Sequence, residues 1–370
     1  MRPPRGLLRR RRLLALLGAL PALAPGASAI AAADASTVAR GRELVFPRDH
    51  GAHLAARIEW WYLTGWLGRF EQPNAGFQVT FFRSRTGLAQ DMPGRFAPRQ
   101  LLFVHAALTD LGRGRHRHAE RLVRWSEAPD APLARASVRT TDVHIGRWFL
   151  TRDDDGGYRS LIDDDALRLE IAARPTQPLL LQGEAGFSRK GPEARQASHY
   201  VTEPQLAVQG RWASGEPMLD GRGWLDHEWS DEILHPEAVG WDWIGINLAD
   251  GSALTAFQLR RRDGSALWAG GSFRPPGGAA VAFAPDGLGF EPLRLWASPA
   301  TGANYPVHWR VATPAGRFEV RALLDAQELD GRGVTGTVYW EGLAELLDGA
   351  GRRIGLGYLE MTGYAGRLRL

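Results

Sequence analysis

Short segments in which apolar and polar residues alternate recur along most of the chain. Alternation with a period of two is typical of β-strands that bury one face. Turn sequences rich in glycine and aspartate, such as DDDGG, ADGS and DGRG, separate these segments, and long amphipathic helical patterns are missing. The predicted strands include Phe77–Phe82, Gln100–Leu108, Ala166–Ala173, Ala253–Arg260, Arg317–Leu324 and Gly336–Gly342. The pattern therefore predicts an all-β protein built from barrels or sandwiches.

A weak internal repeat accompanies this pattern. The stretch EWWYLTGWL leads to FQVTFFRSR, and further along the chain GWDWIGINL leads to LTAFQLRRR. In both cases a tryptophan-rich strand precedes an aromatic strand that ends in Arg-x-Arg. The repeat indicates two related barrel halves, although tryptophan-rich strands also resemble one another by composition alone.

The N-terminus has the composition of a secretory signal peptide. The basic stretch MRPPRGLLRRRR precedes an apolar stretch too short to span a bilayer, and Ala27-Ser28-Ala29 fits a small-residue cleavage site. We expect residues 1–29 to be removed, so that a periplasmic or secreted protein begins near Ile30. The arginine run fits either a twin-arginine signal or an ordinary arginine-rich one, and contact with the export machinery is expected through this segment alone.

Charge and cysteine content exclude several classes of protein. The formal net charge is +4, but residues 1–29 contain six arginines and no acidic residue, so the remainder carries −2. A nucleic-acid partner is therefore not expected. The chain has no cysteine, which excludes disulfides, a cysteine nucleophile and a lipid anchor on cysteine. No second apolar run is long enough to predict a transmembrane segment.

The stretch GRGWLDHEWSDEILH, Gly221–His235, concentrates the groups that could carry chemistry. His227, Asp231 and His235 are four residues apart and would share one face of a helix, as metal ligands do. Pro236 and the neighbouring glycines and tryptophans favour a strand or loop instead. We therefore predict no metal at this position.

Strand alternation would direct Asp226 and Glu228 to one face and His227 and Trp229 to the other. An imidazole exchanges protons near neutral pH, and an indole face stabilises a developing cation. Asp226 or Glu228 could orient the imidazole or act as the acid itself if burial raises its pKa. A structural alternative is a buried histidine beside a core tryptophan.

Two other aromatic segments contain acidic residues. In EWWY, Glu59 precedes Trp60, Trp61 and Tyr62, and a glutamate at this position is unusual if it points into a core. The segments VYWEG and GYLEMTGYAG bring further tyrosines and glutamates, namely Tyr339, Glu341, Glu360 and Tyr364. Aromatic residues with a few polar groups line small-molecule pockets, and they also fill barrel cores.

Several of these segments resemble the carotenoid 1,2-hydratase-like, AttH-type family, which includes sequences labelled as predicted secreted hydrolases. The matching pieces are FPRDHGAH, EWWYLTG, FFRSR, HAALTD, LQGEAGFSRKG, GWLDHEWS, GWDW and YWEG with GYLEMTGYAG. The resemblance implies two lipocalin-like β-barrels, hydration of an isolated C=C bond in some members and pericyclic cyclisation in related fungal ones. It also implies that the His-x-Trp pair of the hydratase site falls on His227 and Trp229. Phe257 and Leu259 stand where a tyrosine and an acid would be expected.

Together these observations predict a signal peptide (1–29), a flexible segment (30–43) and two lipocalin-like antiparallel β-barrel domains (44–230 and 231–370). The predicted function is that of a cofactor-free lyase or hydratase acting on an apolar unsaturated substrate, such as an isoprenoid or lipid. The alternatives are a non-catalytic carrier of lipids or other hydrophobic ligands and an unrecognised hydrolase. The predicted catalytic residues are His227, Asp226, Glu228 and Glu59, and the predicted substrate-binding residues are Trp60, Trp61, Tyr62, Trp229, Trp241, Trp243 and Tyr364. Buried acids that converge with His227 on one cavity would favour an enzyme, and a wholly apolar cavity would favour a carrier.

Overall fold

The computed structural model describes residues 37–92, 94, 96–128, 131, 133–232 and 234–368. Within them the regular structure is β-strand, apart from short 3-10 helices at Arg48–His50 and Pro285–Gly287. The all-β prediction is confirmed. The predicted signal peptide and its cleavage site lie outside the described residues. In the part of the chain that is described, no helix is both long and apolar enough to cross a membrane.

The first antiparallel sheet contains thirteen of the described strands. They are β1 (Ile58–Gly68), β2 (Pro73–Arg85), β3 (Gln100–Asp110), β4 (Arg115–Trp125), β5 (Ala134–Ala136), β6 (Asp142–Ile145), β7 (Trp148–Arg152), β8 (Tyr158–Asp163), β9 (Arg168–Arg174), β10 (Leu180–Leu181), β11 (Phe187–Arg189), β12 (Ala197–Arg211) and β13 (Leu219–Ser230). Their order is β4-β3-β2-β1-β13-β12-β9-β8-β7-β6-β5, and β10 and β11 pair with β12.

The second antiparallel sheet contains the ten remaining described strands. They are β14 (Gly240–Leu248), β15 (Ala253–Arg260), β16 (Ala266–Arg274), β17 (Val281–Ala282), β18 (Gly289–Ala297), β19 (Asn304–Thr313), β20 (Gly316–Ala322), β21 (Glu328–Gly331), β22 (Thr337–Leu347) and β23 (Arg353–Thr362). Their order is β17-β16-β15-β14-β23-β22-β20-β19-β18, and β21 pairs with β22.

Both sheets follow the same topology. Each begins with four strands in an up-and-down meander, and each pairs its first strand with its last, so that β1 lies between β2 and β13 while β14 lies between β15 and β23. The edge strands β4 and β5 of the first sheet also approach each other, which nearly closes this sheet into a barrel. The shared topology is the structural counterpart of the sequence repeat.

The three largest apolar clusters among the described residues hold the sheets. One fills the first sheet, a second fills the second sheet, and a third lies between the two sheets. Alternation along β1 divides its side chains between them, because Trp61 belongs to the first cluster and Tyr62 to the third. Each large apolar side chain that is fully buried contributes roughly 1.5–3 kcal/mol. The third cluster therefore fastens the sheets to each other.

The two sheets are in direct contact where β2 crosses β22. At Gly76 an added Cβ would lie 2.7 Å from Leu343 Cβ and 3.0 Å from the Tyr358 hydroxyl oxygen. Any side chain at this position would force the sheets apart. Gly76 is thus required for the contact and not for a turn.

The ends of the sheets bear on the predicted domain boundary. The first sheet ends at Ser230 and the second begins at Gly240, although the described residues belong to one compact unit. The division into two domains stays a prediction. Within the predicted flexible segment, the described residues 37–43 are anchored, because the Thr37 amide donates to Asp231 Oδ2 at 2.7 Å and Val38 packs in an apolar cluster with Trp229.

Candidate functional site

The neighbouring strands β1 and β13 carry all four predicted catalytic residues. In their register Trp61 lies opposite His227, and Tyr62 lies opposite Asp226. Successive side chains point to opposite faces of a strand. The candidates are therefore divided between the interior of the first sheet and the space between the two sheets.

The first group, here named the Glu59 cluster, consists of His53, Glu59, Arg83 and His227. Glu59 is fully buried. Its carboxylate accepts hydrogen bonds from Arg83 Nε at 2.8 Å, from His53 Nδ1 at 2.8 Å and from His227 Nε2 at 3.0 Å. The acid is thus satisfied by three side-chain donors inside the first sheet.

The electrostatics of the cluster fix its protonation state. Burial alone would raise the pKa of Glu59, but the charge of Arg83 and the hydrogen bonds from both histidines hold it well below its usual value. Burial opposes the charge on His53, yet hydrogen bonds to Asp49 and Glu59 raise its pKa. Burial lowers the pKa of His227 in spite of Glu59. At neutral pH Glu59 is therefore ionised and His227 is neutral, with its Nε2 carrying the proton.

His227 does not reach the space between the sheets. Its side chain is buried, stacks on Trp61 with ring centroids 4.8 Å apart, and lies 5.0 Å from the ring of Trp229. Trp229 in turn stacks on His53 at 3.6 Å. The sequence predicts that His227 and Trp229 converge on one cavity with at least one of Glu59, Asp226 and Glu228. Of these acids only Glu59 lies beside His227, whereas strand alternation places Asp226 and Glu228 on the opposite face, which lines the cavity.

His53, Glu59 and His227 also have the composition of a metal site. Their ligand-type atoms lie within 4.8 Å of one another, and two imidazoles with one carboxylate suit zinc. The guanidinium of Arg83 contacts the same carboxylate, and the raised pKa of His53 favours a second positive charge beside it. Both charges oppose a cation, so the cluster fits a metal poorly.

We expect the purified protein to contain no stoichiometric zinc, since Arg83 already neutralises Glu59. Elemental analysis of protein prepared without chelators measures this directly. About one zinc per chain in the wild type, lost in His227→Ala, would contradict the expectation.

The second group faces a cavity of about 290 Å³ between the two sheets. Its wall is mostly apolar and aromatic, as in binding sites for small organic molecules. The lining residues that bear on the chemistry are Trp60, Tyr62, Phe103, His105, Lys190, Tyr200, Asp226, Glu228, Trp241, Trp243, Phe257, Tyr339, Glu341 and Glu360.

Asp226 is a predicted catalytic residue whose pKa is strongly changed by its surroundings. Its carboxyl accepts hydrogen bonds from the Tyr200 hydroxyl at 2.7 Å and from Thr202 Oγ1 at 2.6 Å, and Trp243 Nε1 donates to the same tyrosine at 3.1 Å. Burial raises the pKa of Asp226 to about 7, although these hydroxyls favour the ionised form. Asp226 therefore exchanges a proton near neutral pH.

Glu228 lies beside Asp226 on the cavity face and is paired with a cation. Lys190 Nζ is 2.8 Å from Glu228 Oε1, and Ser198 Oγ donates to the same oxygen. The ammonium also lies 4.5 Å from the ring centroid of Tyr200 and 4.3 Å from that of Phe257. Lys190 thus neutralises one acid of the cavity and covers the two rings.

Glu341 and Glu360 form a pair of acids on the second sheet, directly opposite each other on β22 and β23. Burial and the neighbouring Glu360 raise the pKa of Glu341 well above its usual value, against the nearby hydroxyls of Tyr62 and Tyr339. Burial likewise raises the pKa of Glu360. Glu341 Oε1 and the Tyr62 hydroxyl are both buried and have no hydrogen-bond partner among the described residues. Together they offer an unoccupied donor and acceptor to a ligand or a water molecule.

The predicted substrate-binding residues are divided in the same way as the catalytic ones. Trp60, Tyr62, Trp241 and Trp243 line the cavity. Trp61 and Trp229 face the Glu59 cluster instead. Tyr364 belongs to the interior of the second sheet, where it donates to Asp242 at 2.9 Å and lies under the guanidinium of Arg260.

Sequence reasoning missed Lys190, Tyr200 and His105 in the cavity. One signal for Lys190 was present, because it is the sole lysine of a chain with 45 basic lysine and arginine residues. Tyr200 and His105 carry no such signal. Tyr200 comes from β12, the strand before the DHEW segment, and His105 comes from β3, far along the chain from it.

Comparisons with known proteins agree with the fold. A family model described as AttH-like matches residues 37–364. A protein assigned as an AttH from Nitrosomonas europaea has 45% identity and a TM-score of 0.79, covering 88% of this chain and 99% of its own. Kievitone hydratase from Nectria haematococca has 15% identity and a TM-score of 0.65, covering 88% and 94%. CghA in complex with Sch210972 has 14% identity and a TM-score of 0.51, covering 84% and 90%. A sequence search of curated proteins gives no match. The structures of kievitone hydratase and CghA share the fold of this chain. The resemblance to the AttH-type family is confirmed.

Proposed function

The chain belongs to the AttH-like family, and we propose that it is a cofactor-free hydratase that adds water to a C=C bond of an apolar substrate bound between the two sheets. The observation that carries the proposal is Asp226, a carboxyl group that faces an aromatic cavity and whose pKa is raised to about 7. At neutral pH it is divided between the acid that protonates an alkene and the carboxylate that recovers the proton.

The first step uses Asp226 as the general acid. Its proton is transferred to one alkene carbon while the π electrons form the new C–H bond, which leaves a carbocation on the neighbouring carbon. The π faces of Trp60, Trp241 and Trp243 line the cavity, and such faces attract a cation. They shelter the intermediate from bulk water.

The second step uses a water molecule held at the other polar part of the cavity. The unpartnered Tyr62 hydroxyl and Glu341 Oε1 supply one donor and one acceptor for it. Tyr62 lies opposite Asp226 across the two central strands, so this water is close to the acid. Its oxygen bonds to the cationic carbon, and the released proton returns to the Asp226 carboxylate. The net change is the addition of one water molecule.

The comparisons support the proposal through the family and the fold. One relative of the same fold is named a hydratase, but at that identity the likeness extends to the fold alone. The acids of the cavity favour an enzyme over a simple carrier, because burying them without a ligand or a reaction costs free energy. Export to the periplasm, with cleavage near Ile30, is proposed from the N-terminal sequence.

Hydration is tested with heavy-oxygen water. The mature chain is incubated with small acyclic isoprenoids such as geraniol and linalool in H₂¹⁸O, and the products are analysed by mass spectrometry. We expect a product that carries one added water with the heavy oxygen, formed more slowly by Tyr62→Phe because the attacking water loses a partner. Binding without any product in the wild type would favour the carrier alternative.

A further inference from the structure

The ionisable groups that line the cavity are unbalanced. Four carboxyl groups, those of Asp226, Glu228, Glu341 and Glu360, face it, against the single ammonium of Lys190. No arginine is among the described residues of the lining, although arginine accounts for nearly all basic residues of the chain. His105 adds no charge, because burial lowers its pKa to about 3.

The one cation of the cavity is already engaged. Lys190 is only 5% exposed, and its ammonium contacts Glu228 at 2.8 Å and the rings of Tyr200 and Phe257. A carboxylate ligand would have to displace Glu228 from this ion pair while lying near three further acids. Burying an anion without a free partner is costly.

The acids on the second sheet, in contrast, lack a positive partner. Glu341 and Glu360 face each other, and none of the ion pairs among the described side chains includes either of them. Two neighbouring groups lie beside them: the Tyr62 hydroxyl, on a residue 7% exposed, and Glu341 Oε1, on a residue 2% exposed. They are close enough to shift each other's pKa, but neither atom has a hydrogen-bond partner in the described structure. Burial raises the pKa of both acids in the empty cavity. A positively charged group placed here would favour their ionised form and would also meet aromatic faces.

We infer that the cavity is a cation-accepting site, which binds apolar amines in preference to matched alcohols and excludes matched carboxylates. The inference rests on the proposed function for its meaning, since a protonated tertiary amine carries its positive charge where a tertiary carbocation would carry it. The evidence for the inference is the arrangement of ionisable groups and aromatic rings around the cavity. The substrates it favours are neutral apolar molecules that acquire positive charge during reaction, and free fatty acids are excluded.

The test compares three ligands with one carbon skeleton: N,N-dimethylgeranylamine, geraniol and geranic acid. Isothermal titration calorimetry with the mature chain is expected to show the amine binding about tenfold more tightly than geraniol, as expected for ring and carboxylate contacts to a cation. Geranic acid is expected to bind most weakly. The isosteric variant Glu341→Gln/Glu360→Gln should lose the preference for the amine, so that its affinities for the amine and for geraniol become equal.

Lys190→Met serves as the matched variant, because it removes the positive charge of the cavity instead of its acids. It should retain or increase the preference for the amine. Urea unfolding of each variant confirms that it is folded. An amine that binds no better than geraniol, or not at all, overturns the inference. So does geranic acid binding as tightly as geraniol and depending on Lys190. Amine selectivity without heavy-oxygen product would reject the hydratase proposal and leave this inference intact.

Discussion

Asp226→Asn is expected to reduce turnover by about 10²- to 10⁴-fold, the usual contribution of a positioned general acid. Asparagine has the shape of aspartate, and its amide oxygen still accepts a hydrogen bond from Tyr200 or Thr202. The cavity and the affinity for geraniol should therefore change little. The variant is compared with the wild type in the hydration assay at several pH values.

The pH dependence of the wild type gives a second measurement of the same group. The acid form of Asp226 is required, so the rate should fall as pH rises through about 7. The pKa of Asp226 is higher in the folded state than in the unfolded state. Its protonation therefore stabilises the fold fully below pH 3.8, the unfolded pKa, and this stabilisation is lost as pH rises through about 7. This difference corresponds to roughly 4 kcal/mol of unfolding free energy. Asp226→Asn should therefore be more stable than the wild type in alkaline urea titrations.

His227→Gln is the matched comparison for Asp226→Asn, because it alters the next residue of the same strand on the opposite face. The sequence hypothesis assigns the proton transfer to His227 together with Asp226 or Glu228, whereas the proposed function assigns it to Asp226 alone. Loss of turnover in His227→Gln at full stability, with normal turnover in Asp226→Asn, would restore the sequence hypothesis.

The fold could be predicted from the sequence because the patterns that indicate strands and turns are local. Alternating segments and Gly/Asp turns specify strands one at a time, and the repeat also has a physical basis. In the first sheet a buried acid of the first strand, Glu59, pairs with Arg83 of the second strand at 2.8 Å. In the second sheet Asp242 pairs with Arg260 at 3.2 Å. The echo between EWWY with FFRSR and GWDW with FQLRRR therefore reflects the same buried ion pair in each sheet.

The site could be predicted only in part from the sequence, because it depends on which face of each strand packs against the other sheet. Alternation correctly separated Asp226 from His227, but nothing in the DHEW segment indicates which side faces the cavity. That depends on the packing of β14, β22 and β23 against β1 and β13. The same long-range packing brings Lys190 to Glu228 and Glu341 to Tyr62. Pairing of residues so distant along the chain has no signature in a single sequence.

Arg83→Leu is expected to lower the free energy of unfolding by about 3–5 kcal/mol, the usual cost of removing one partner from a buried ion pair. Arg83 is fully buried and donates to Glu59 Oε2 at 2.8 Å, to Gln100 Oε1 at 2.7 Å and to the carbonyls of His53 and Ala56, each at 2.9 Å. Leucine leaves all four acceptors without this donor. Urea or thermal unfolding of the purified variant measures the loss.

The double variant Arg83→Leu/Glu59→Leu separates the ion pair from simple packing. Removing both charges abolishes the uncompensated carboxylate, so part of the stability lost in Arg83→Leu should return, and the coupling between the two sites should be at least about 1 kcal/mol. The Asp242/Arg260 pair allows the same cycle in the second sheet as an internal comparison. Because both pairs lie on the faces turned away from the cavity, amine and geraniol binding should survive in every variant that folds. Additive effects of the two single substitutions would mean that Glu59 is held by its histidines, and that Arg83 stabilises the first sheet through its carbonyl contacts alone.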